Sequence, residues 1–296
     1  MKKILFKGIA TALITPFKDG AVDYEALGRI IDFQIDSGIN ALVACGTTGE
    51  ASTLTDEEHR EAIAFTVRRA AGRVPVIAGT GSNDQAYAID LTRYACDEAG
   101  ADGVLLVTPY YNKATQKGLV KMYTELADVA SKPVILYNVP SRTGVNIEPS
   151  TYVALAEHPN IVGFKEANGN LSKIVETVSL VGDKLAMYSG NDDQIVPLMS
   201  LGGIGAISVL SNILPAETVA ICDRFFAGDI KGSAALQCRY HALINALFCE
   251  VNPIPIKAAM AALGFGENSL RLPLTVMEES NERVLLDLMR KAGLKV

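Results

Sequence analysis

Lys165 is the residue whose type and surroundings are best suited to covalent chemistry. It lies in the apolar run 161–166, which predicts a short buried strand, and lysine is rarely buried without a charged partner. Strand alternation would place Lys165, Gly163 and Ile161 on one face and Val162 on the other. Gly163 would leave open space beside the amine, and a desolvated amine has a lowered pKa, which favours attack on a carbonyl carbon.

The run on its own is more typical of a structural lysine than of a nucleophile. Buried or perturbed charges often serve structure. In that interpretation the amine of Lys165 reaches solvent at the strand end or pairs with Glu166. The rest of the chain must decide between the two.

Composition excludes several classes of protein. The 296 residues are 49% hydrophobic and 20% charged, which is typical of a globular chain. A net charge of −6 without a basic run argues against a nucleic-acid surface. Residues 8–17 are too short and too interrupted by Thr and Pro to form an export or membrane-spanning segment. Five cysteines without a CxxC pair indicate reduced thiols and a cytoplasmic location.

Apolar strand-like runs alternate with amphipathic helical stretches as far as about residue 228, which predicts parallel strands joined by right-handed crossovers. Eight such units predict an α/β fold, a (β/α)₈ TIM barrel over residues 1–228. Residues 229–296 contain helical stretches broken by prolines and predict a C-terminal helical extension. A doubly wound sheet is the alternative, but it would need about two fewer strands. The predicted strands are 8–16, 40–46, 75–81, 103–110, 133–138, 161–166, 185–190 and 205–210.

In such a barrel, chemistry takes place at the carboxyl ends of the strands. There the second strand runs into Gly46-Thr47-Thr48-Gly49, whose amides and hydroxyls could hold a carboxylate, although an ordinary turn is as good an interpretation. Tyr137 shares strand parity with Ile135 and could face the barrel axis, or be a buried structural tyrosine. Arg142, in the following loop, could pair with a substrate carboxylate or simply be solvated.

The three histidines are not spaced as metal ligands, so no metal site is predicted. His59 lies in a predicted helix, His158 precedes a strand at the opposite face, and His241 is in the extension. Proton transfer would then fall to tyrosine and threonine hydroxyls with water. This also argues against a metal-dependent aldolase. A barrel retained only as a regulator would be expected to lack Lys165 or Tyr137, and both are present.

Together these segments resemble the dihydrodipicolinate synthase family, within the pyruvate-dependent class I aldolases and lyases that include N-acetylneuraminate lyase. The likeness covers the whole chain, extension included. It is carried by four motifs in order on successive loops: Gly46-Thr47-Thr48-Gly49-Glu50, Thr108-Pro109-Tyr110-Tyr111-Asn112, Tyr137-Asn138-Val139-Pro140-Ser141-Arg142-Thr143-Gly144 and Gly163-Phe164-Lys165-Glu166.

The resemblance implies condensation of pyruvate with L-aspartate 4-semialdehyde, toward diaminopimelate and lysine, without metal or organic cofactor. Lys165 would form the Schiff base, and Thr47 and Thr48 would hold the pyruvate carboxylate. Tyr137 would relay protons through Thr48 to Tyr111 of a neighbouring subunit, which implies a homo-oligomer, a dimer of dimers in the family.

The remaining implied contacts concern the second substrate and the walls of the site. Arg142 would hold the carboxylate of the semialdehyde, while Gly190 and Ile207 would line the site through backbone contacts. Sialate lyases are the near alternative. They tend to have Ser-Thr in place of Thr47-Thr48 and lack an arginine matching Arg142, so both differences favour the synthase.

One departure from the family concerns feedback by lysine. Lysine-sensitive members usually carry a histidine where Asp56 stands and a glutamate where Tyr87 stands, although His59, Asn83 and Tyr110 are retained. Weak or absent inhibition by lysine is therefore predicted.

Overall fold

The computed structural model describes residues 2–296 and contains a closed barrel of eight parallel strands. Each strand pairs with the strands that precede and follow it in the chain, and the first pairs with the eighth. The predicted (β/α)₈ TIM barrel is therefore confirmed. The barrel strands are Gly8–Ala12, Ala41–Ala44, Val76–Gly79, Gly103–Val107, Val134–Asn138, Ile161–Glu166, Ala186–Ser189 and Gly205–Ser208.

Helices cover the outside of the barrel and begin where the sequence signals them. Before the second barrel helix, Thr55 accepts a hydrogen bond from the amide of Glu58, and the Glu58 carboxylate accepts one from the amide of Thr55. This reciprocal capping box satisfies two amides that a helix end leaves free. The barrel helices are Tyr24–Asp36, Asp56–Ala70, Gln85–Arg93, Gln116–Val129, Pro149–Ala156, Leu171–Val181, Ile195–Ser200 and Pro215–Phe226, with a short helix Pro140–Thr143 in the fifth loop.

The barrel has an inner core and an outer layer. Side chains such as Val43, Ile77, Ile135 and Tyr188 fill the interior of the barrel. Two larger clusters lie between the strands and the helices. A two-stranded hairpin, Phe17–Lys18 and Ala21–Val22, follows the first barrel strand. Strands of two residues give too little periodicity to be predicted.

The sixth strand contains an irregularity that makes the predicted face of two residues wrong. Val134 pairs with Ile161, but Ile135 pairs with Gly163, so Val162 is an extra residue. Because of this bulge, Val162 packs in the barrel interior and Ile161 packs against the helices, the reverse of the prediction. Lys165 and Gly163 follow the bulge and keep the predicted parity, since Lys165 pairs with the inward-facing Tyr137.

Gly163 does not provide the open space that was predicted beside Lys165. A Cβ atom on Gly163 would lie 2.5 Å from the carbonyl oxygen of Ala186 on the neighbouring strand. The glycine is needed because the seventh strand approaches this close. The space beside the lysine has another origin, described with the site.

The extension packs on the barrel as four helices: Ile230–Arg239, His241–Ala246, Ile254–Ala262 and Glu279–Lys291. The first two of these helices meet at Tyr240, where the chain is interrupted without a proline. Buried residues of the extension, including Ile256, Met260 and Leu285, join the cluster that contains the first barrel strand. The predicted domain boundary at residue 228 falls between Pro215–Phe226 and Ile230–Arg239 and stays a proposal.

A buried ion pair fixes the extension to the second βα-loop. Lys257 donates to a carboxylate oxygen of Glu50 at 2.5 Å, and both side chains are excluded from solvent. The other carboxylate oxygen of Glu50 accepts from the amide of Arg271 at 3.1 Å. The ring of Phe17 lies 4.0 Å from the Lys257 amine and 4.4 Å from the Arg271 guanidinium, so both cations also contact an aromatic face.

Replacing one member of this pair should destabilise the whole molecule. Lys257→Met leaves the Glu50 carboxylate buried without its cation, so the free energy of unfolding should fall by about 3–5 kcal/mol. Urea denaturation followed by circular dichroism measures this. The matched control is Lys121→Met, which removes a solvent-exposed pair with Glu125 and should change stability little. An equal, small effect of both substitutions would contradict the role given to Lys257.

Candidate active site

Lys165 lies at the carboxyl end of the sixth strand and points into the top of the barrel. Its side chain is buried, with 6% of the residue exposed. Its amine lies 4.2 Å from the centre of the Tyr137 ring, and the two residues are paired directly across the fifth and sixth strands. The structure therefore brings together the two residues to which sequence reasoning gave the central roles.

Glu166 faces the other way and does not pair with Lys165. Its carboxylate accepts hydrogen bonds from Asn138 at 2.9 Å, from the Tyr152 hydroxyl at 3.2 Å and from the amide of Asn168 at 2.9 Å. Burial raises the pKa of Glu166 to about 7, although these donors favour the charged form. The alternative in which Lys165 is a structural partner of Glu166 is thereby excluded.

A cavity of about 160 Å³ adjoins the amine of Lys165. Gly190 keeps it open: a Cβ atom there would lie 3.1 Å from Cε of Lys165 and 2.8 Å from Cβ of Ala167. Any larger residue at this position would press on the lysine. The lining residues are Ala12, Val43, Gly46, Thr47, Thr48, Leu105, Tyr137, Val139, Ser141, Arg142, Lys165, Ala167, Gly190, Asn191, Val209, Phe248 and Asn252.

Thr47 and Thr48 form a tight turn at the cavity wall. The turn Thr47–Gly49 is closed by hydrogen bonds from the amide of Gly49 to Gly46 and from the amide of Glu50 to Thr47. Thr48 is buried, and its hydroxyl oxygen accepts a hydrogen bond from the side-chain amide of Asn252 at 3.1 Å. That oxygen therefore has an internal donor, and its own proton can point elsewhere.

Asn252 is a site residue that sequence reasoning missed. It lies in the helical extension, where the prolines around it predict only a break between helices. Its backbone carbonyl accepts a hydrogen bond from the Arg142 guanidinium at 3.0 Å, so one residue contacts both Arg142 and Thr48. No local pattern signals these contacts, because Asn252 is more than a hundred residues from both partners.

Two predicted site residues are not brought to the cavity wall. Tyr111 is 90% exposed, has a left-handed backbone (φ 74°) and is absent from the cavity lining. Ile207 is buried in the barrel interior and pairs with Ala10, whereas its neighbour Val209 lines the cavity. Among residues 2–296 no hydrogen bond joins the hydroxyl of Tyr137 to Thr48 or Tyr111. The roles of Tyr111 and Ile207 stay predictions.

The histidines take structural positions. His59 is buried and its ring nitrogen is hydrogen-bonded to the carbonyl of Gly79, while His158 contacts Asp128. Within residues 2–296 no group of three or more His, Cys, Asp or Glu side chains is arranged to hold a metal ion. The same residues include no helix of sufficient length and apolar character to cross a membrane.

Comparison with known proteins agrees with this geometry. The sequence model of the Dihydrodipicolinate synthetase family matches residues 5–292. The chain belongs to this family. The family predicted from the four loop motifs is thus confirmed. The prediction that the chain is an enzyme of the aldolase-type lyase class is confirmed with it.

Relatives named 4-hydroxy-tetrahydrodipicolinate synthase cover almost the entire chain. The enzyme of Alkaliphilus oremlandii is 50% identical over 98% of this chain and 100% of its own. That of Lachnoclostridium phytofermentans is 54% identical over 98% of this chain and 99% of its own. Among solved structures, the chloride-inhibited dihydrodipicolinate synthase of Acinetobacter baumannii in complex with pyruvate is 44% identical, with a TM-score of 0.95 over 99% of this chain and 100% of its own.

A second cavity of about 290 Å³ shares Tyr137 and Arg142 with the first and is also lined by His59, Tyr87 and Tyr110. Tyr87, one of the two predicted departures from lysine-sensitive members, lines this cavity, and Asp56, the other, lies beside Tyr87. The carboxylate of Asp56 accepts from Arg60 at 2.8 Å, and Arg60 also pairs with Asp90. Burial is the main cause that raises the pKa of Tyr87 to about 12, and the negative charge of Asp56 is the next. The hydroxyl of Tyr87 is therefore neutral.

Lysine should therefore bind weakly to this dihydrodipicolinate synthetase family member. A lysine ammonium would meet the neutral Tyr87 where sensitive members offer a carboxylate, and the nearby Asp56 is already paired. Titration calorimetry with L-lysine should give no saturable heat in the sub-millimolar range. Tyr87→Glu restores a carboxylate and should strengthen binding. Sub-millimolar binding or inhibition in the unaltered protein would contradict the prediction.

Proposed function

We propose that the protein condenses pyruvate with L-aspartate 4-semialdehyde through a Schiff base on Lys165, in the route to diaminopimelate and lysine. The observation that carries the proposal is the buried amine of Lys165, which faces the cavity. Glu166 does not pair with this amine, because its carboxylate is bound by Asn138. The names of the relatives and the pyruvate complex of the 44% identical synthase support it. The reaction class is that of an aldolase-type lyase.

The chemistry begins at the amine. The free base of Lys165 attacks the keto carbon of pyruvate, and loss of water leaves an iminium. The iminium withdraws electrons, so the methyl group loses a proton and becomes an enamine carbon. That carbon attacks the aldehyde of the second substrate, and hydrolysis later restores the amine. A cavity of about 160 Å³ is of a size for small substrates.

The walls of the cavity supply the groups that hold pyruvate. Thr47 and Thr48 would bind its carboxylate with hydroxyl and backbone donors. Gly190 leaves the space that the three-carbon chain needs next to Cε of Lys165. Ile207 would contribute a backbone contact from the eighth strand.

Proton transfer would use hydroxyl groups. Tyr137 lies against the Lys165 amine and is placed to move protons at the carbinolamine and enamine steps. Since the Thr48 oxygen accepts from Asn252, the Thr48 proton can be donated toward Tyr137. Tyr111 of a neighbouring subunit would complete the relay.

Arg142 would hold the carboxylate of the semialdehyde. It lines the cavity, and its contact with the Asn252 carbonyl uses one of five guanidinium N–H groups, so others remain for a carboxylate. The expected contact between Arg142 and the semialdehyde carboxylate also distinguishes the proposed reaction from that of a sialate lyase. The second substrate of a sialate lyase is a sugar without a carboxylate in that place.

The Schiff base is tested by reduction with borohydride in the presence of pyruvate. The expected adduct adds the mass of reduced pyruvate to the peptide containing Lys165, and Lys165→Ala should abolish both the adduct and more than about 99% of the rate, since it removes the nucleophile. Lys257→Arg, which keeps a cation in the buried pair with Glu50, controls for trapping at another lysine. An adduct elsewhere, or none, would refute the proposal.

We further propose that the enzyme acts as a homo-oligomer, a dimer of dimers, in the cytoplasm. The 90% exposure of Tyr111, a large aromatic residue, supports a role across a subunit boundary. The five free cysteines support a reducing compartment.

A mixing experiment tests the shared tyrosine. Lys165→Ala and Tyr111→Phe subunits are each expected to have low activity alone. After mixing and subunit exchange, some sites would combine an intact Lys165 with an intact Tyr111 from the neighbour, so activity should rise well above the average of the two. No rise, despite exchange shown by native mass spectrometry, would place Tyr111 outside the neighbour's site.

A further inference from the structure

Glu166 and Asn138 form a buried side-chain bridge next to the candidate nucleophile and its tyrosine. Asn138 directly follows Tyr137 on the fifth strand. Glu166 directly follows Lys165 on the sixth strand and is paired with Asn138. Nδ2 of Asn138 donates to the two carboxylate oxygens of Glu166 at 2.9 and 3.2 Å, and both residues are buried. The bridge therefore joins the two strands one residue beyond the reactive pair.

The carboxylate of Glu166 also holds the loop that leaves the sixth strand. It accepts a hydrogen bond from the amide of Asn168 at 2.9 Å, which fixes the backbone on both sides of Ala167. Ala167 lines the cavity. The hydroxyl of Tyr152, on the helix Pro149–Ala156, donates to the same carboxylate at 3.2 Å. One carboxylate thus connects a strand end, a cavity-lining loop and a barrel helix.

Only the ionised carboxylate of Glu166 can accept from all of these donors. Oε1 accepts from Asn138 and Asn168, and Oε2 accepts from Asn138 and Tyr152. A proton on either oxygen would take the place of a donor, since the protonated oxygen becomes a donor itself. Burial raises the pKa of Glu166 to about 7, so this proton is gained near neutral pH instead of in the acidic range usual for glutamate.

The other titratable groups around this carboxylate do not share its behaviour. Tyr152 and its buried neighbour Tyr123 are neutral, because burial raises the pKa of both hydroxyls. Glu148 lies outside the bridge, where its carboxylate is 3.9 Å from the amine of Lys173. Among the buried groups of the bridge, Glu166 is therefore the one whose charge changes near neutral pH.

We propose that Glu166 is a positioning residue for Lys165 and Tyr137, and that only its ionised form performs this role. The inference rests on the proposed function. When the bridge is lost, the amine and the phenol are no longer held in a fixed relation from the strand ends. Small misplacements of reacting groups cost large factors in rate. The rate should therefore fall as the pH drops through about 7, even where the Schiff base is fully formed.

The test is the pH dependence of kcat at saturating pyruvate and semialdehyde. Under these conditions Lys165 is already bound to pyruvate, so the free amine does not contribute to the profile. With a pKa of about 7, the ionised fraction of Glu166 falls from about nine-tenths at about pH 8 to about one-tenth at about pH 6, and kcat should fall roughly tenfold. Glu166→Gln cannot ionise, so its kcat should be low and nearly the same at both pH values.

Tyr152→Phe tests the direction of the effect without removing the carboxylate. The ring keeps its packing on Phe164, with 4.8 Å between ring centres, but the donor to Glu166 is lost. Because this hydrogen bond favours the ionised form, the fall of kcat should move to higher pH by about one unit. The matched control is Glu148→Gln, which makes the same change outside the bridge, keeps an oxygen for Asn146 and should leave the profile unchanged.

A tenfold fall of kcat that persists in Glu166→Gln would overturn the inference, since a merely structural role lowers kcat without changing its pH dependence. So would a fall that stays in place or moves to lower pH in Tyr152→Phe, and this variant decides alone if Glu166→Gln does not fold. Circular dichroism and the borohydride adduct at Lys165 show that each variant is folded. Failure of the proposed function is recognised separately, because the unaltered protein would then form no adduct at Lys165.

Discussion

The buried ion pair between Glu50 and Lys257 is the interaction on which the candidate site depends. Glu50 ends the turn that carries Thr47 and Thr48, and Lys257 lies in the helix Ile254–Ala262 of the extension. Burying two charges is costly unless their geometry and remaining hydrogen bonds are satisfied. The amide of Arg271 and the ring of Phe17 supply those contacts. The pair therefore holds the extension against the second βα-loop, in the position in which Asn252 lines the cavity.

The site is consequently assembled from two parts of the chain with different tasks. The barrel supplies Lys165 and Tyr137 from adjacent strands, where backbone pairing fixes their separation. The extension supplies Asn252, which holds Thr48 on one side and Arg142 on the other. Because Asn252 is held by both Thr48 and Arg142, these three side chains lose little conformational freedom when a ligand binds. The polar side of the cavity is therefore preorganised. The rigid strands place the nucleophile, and the docked extension orients the groups that would meet the substrates.

The sequence predicted the barrel and much of the site for identifiable physical reasons. Apolar runs alternating with amphipathic stretches require parallel strands covered by helices, and chemistry in that fold lies at the strand ends, so Lys165 and Tyr137 could be selected. Asn252 and Lys257 could not be, because their partners are 204 and 207 residues away. The face of Val162 was wrong because alternation assumes regular pairing, and the space beside Lys165 was assigned to Gly163 because clearance depends on the neighbouring strand.

The extra residue in the sixth strand has a consequence for how the two ends of the barrel relate. Since Val162 is taken up by a bulge, the packing of the barrel floor and the direction of Lys165 are set by separate parts of one strand. On one side of the bulge Ile161 packs against the helices, and on the other side the pairing with the fifth strand is regular from Gly163 to Glu166. The regular pairing beyond the bulge is therefore what directs Lys165, paired with Tyr137, into the top of the barrel.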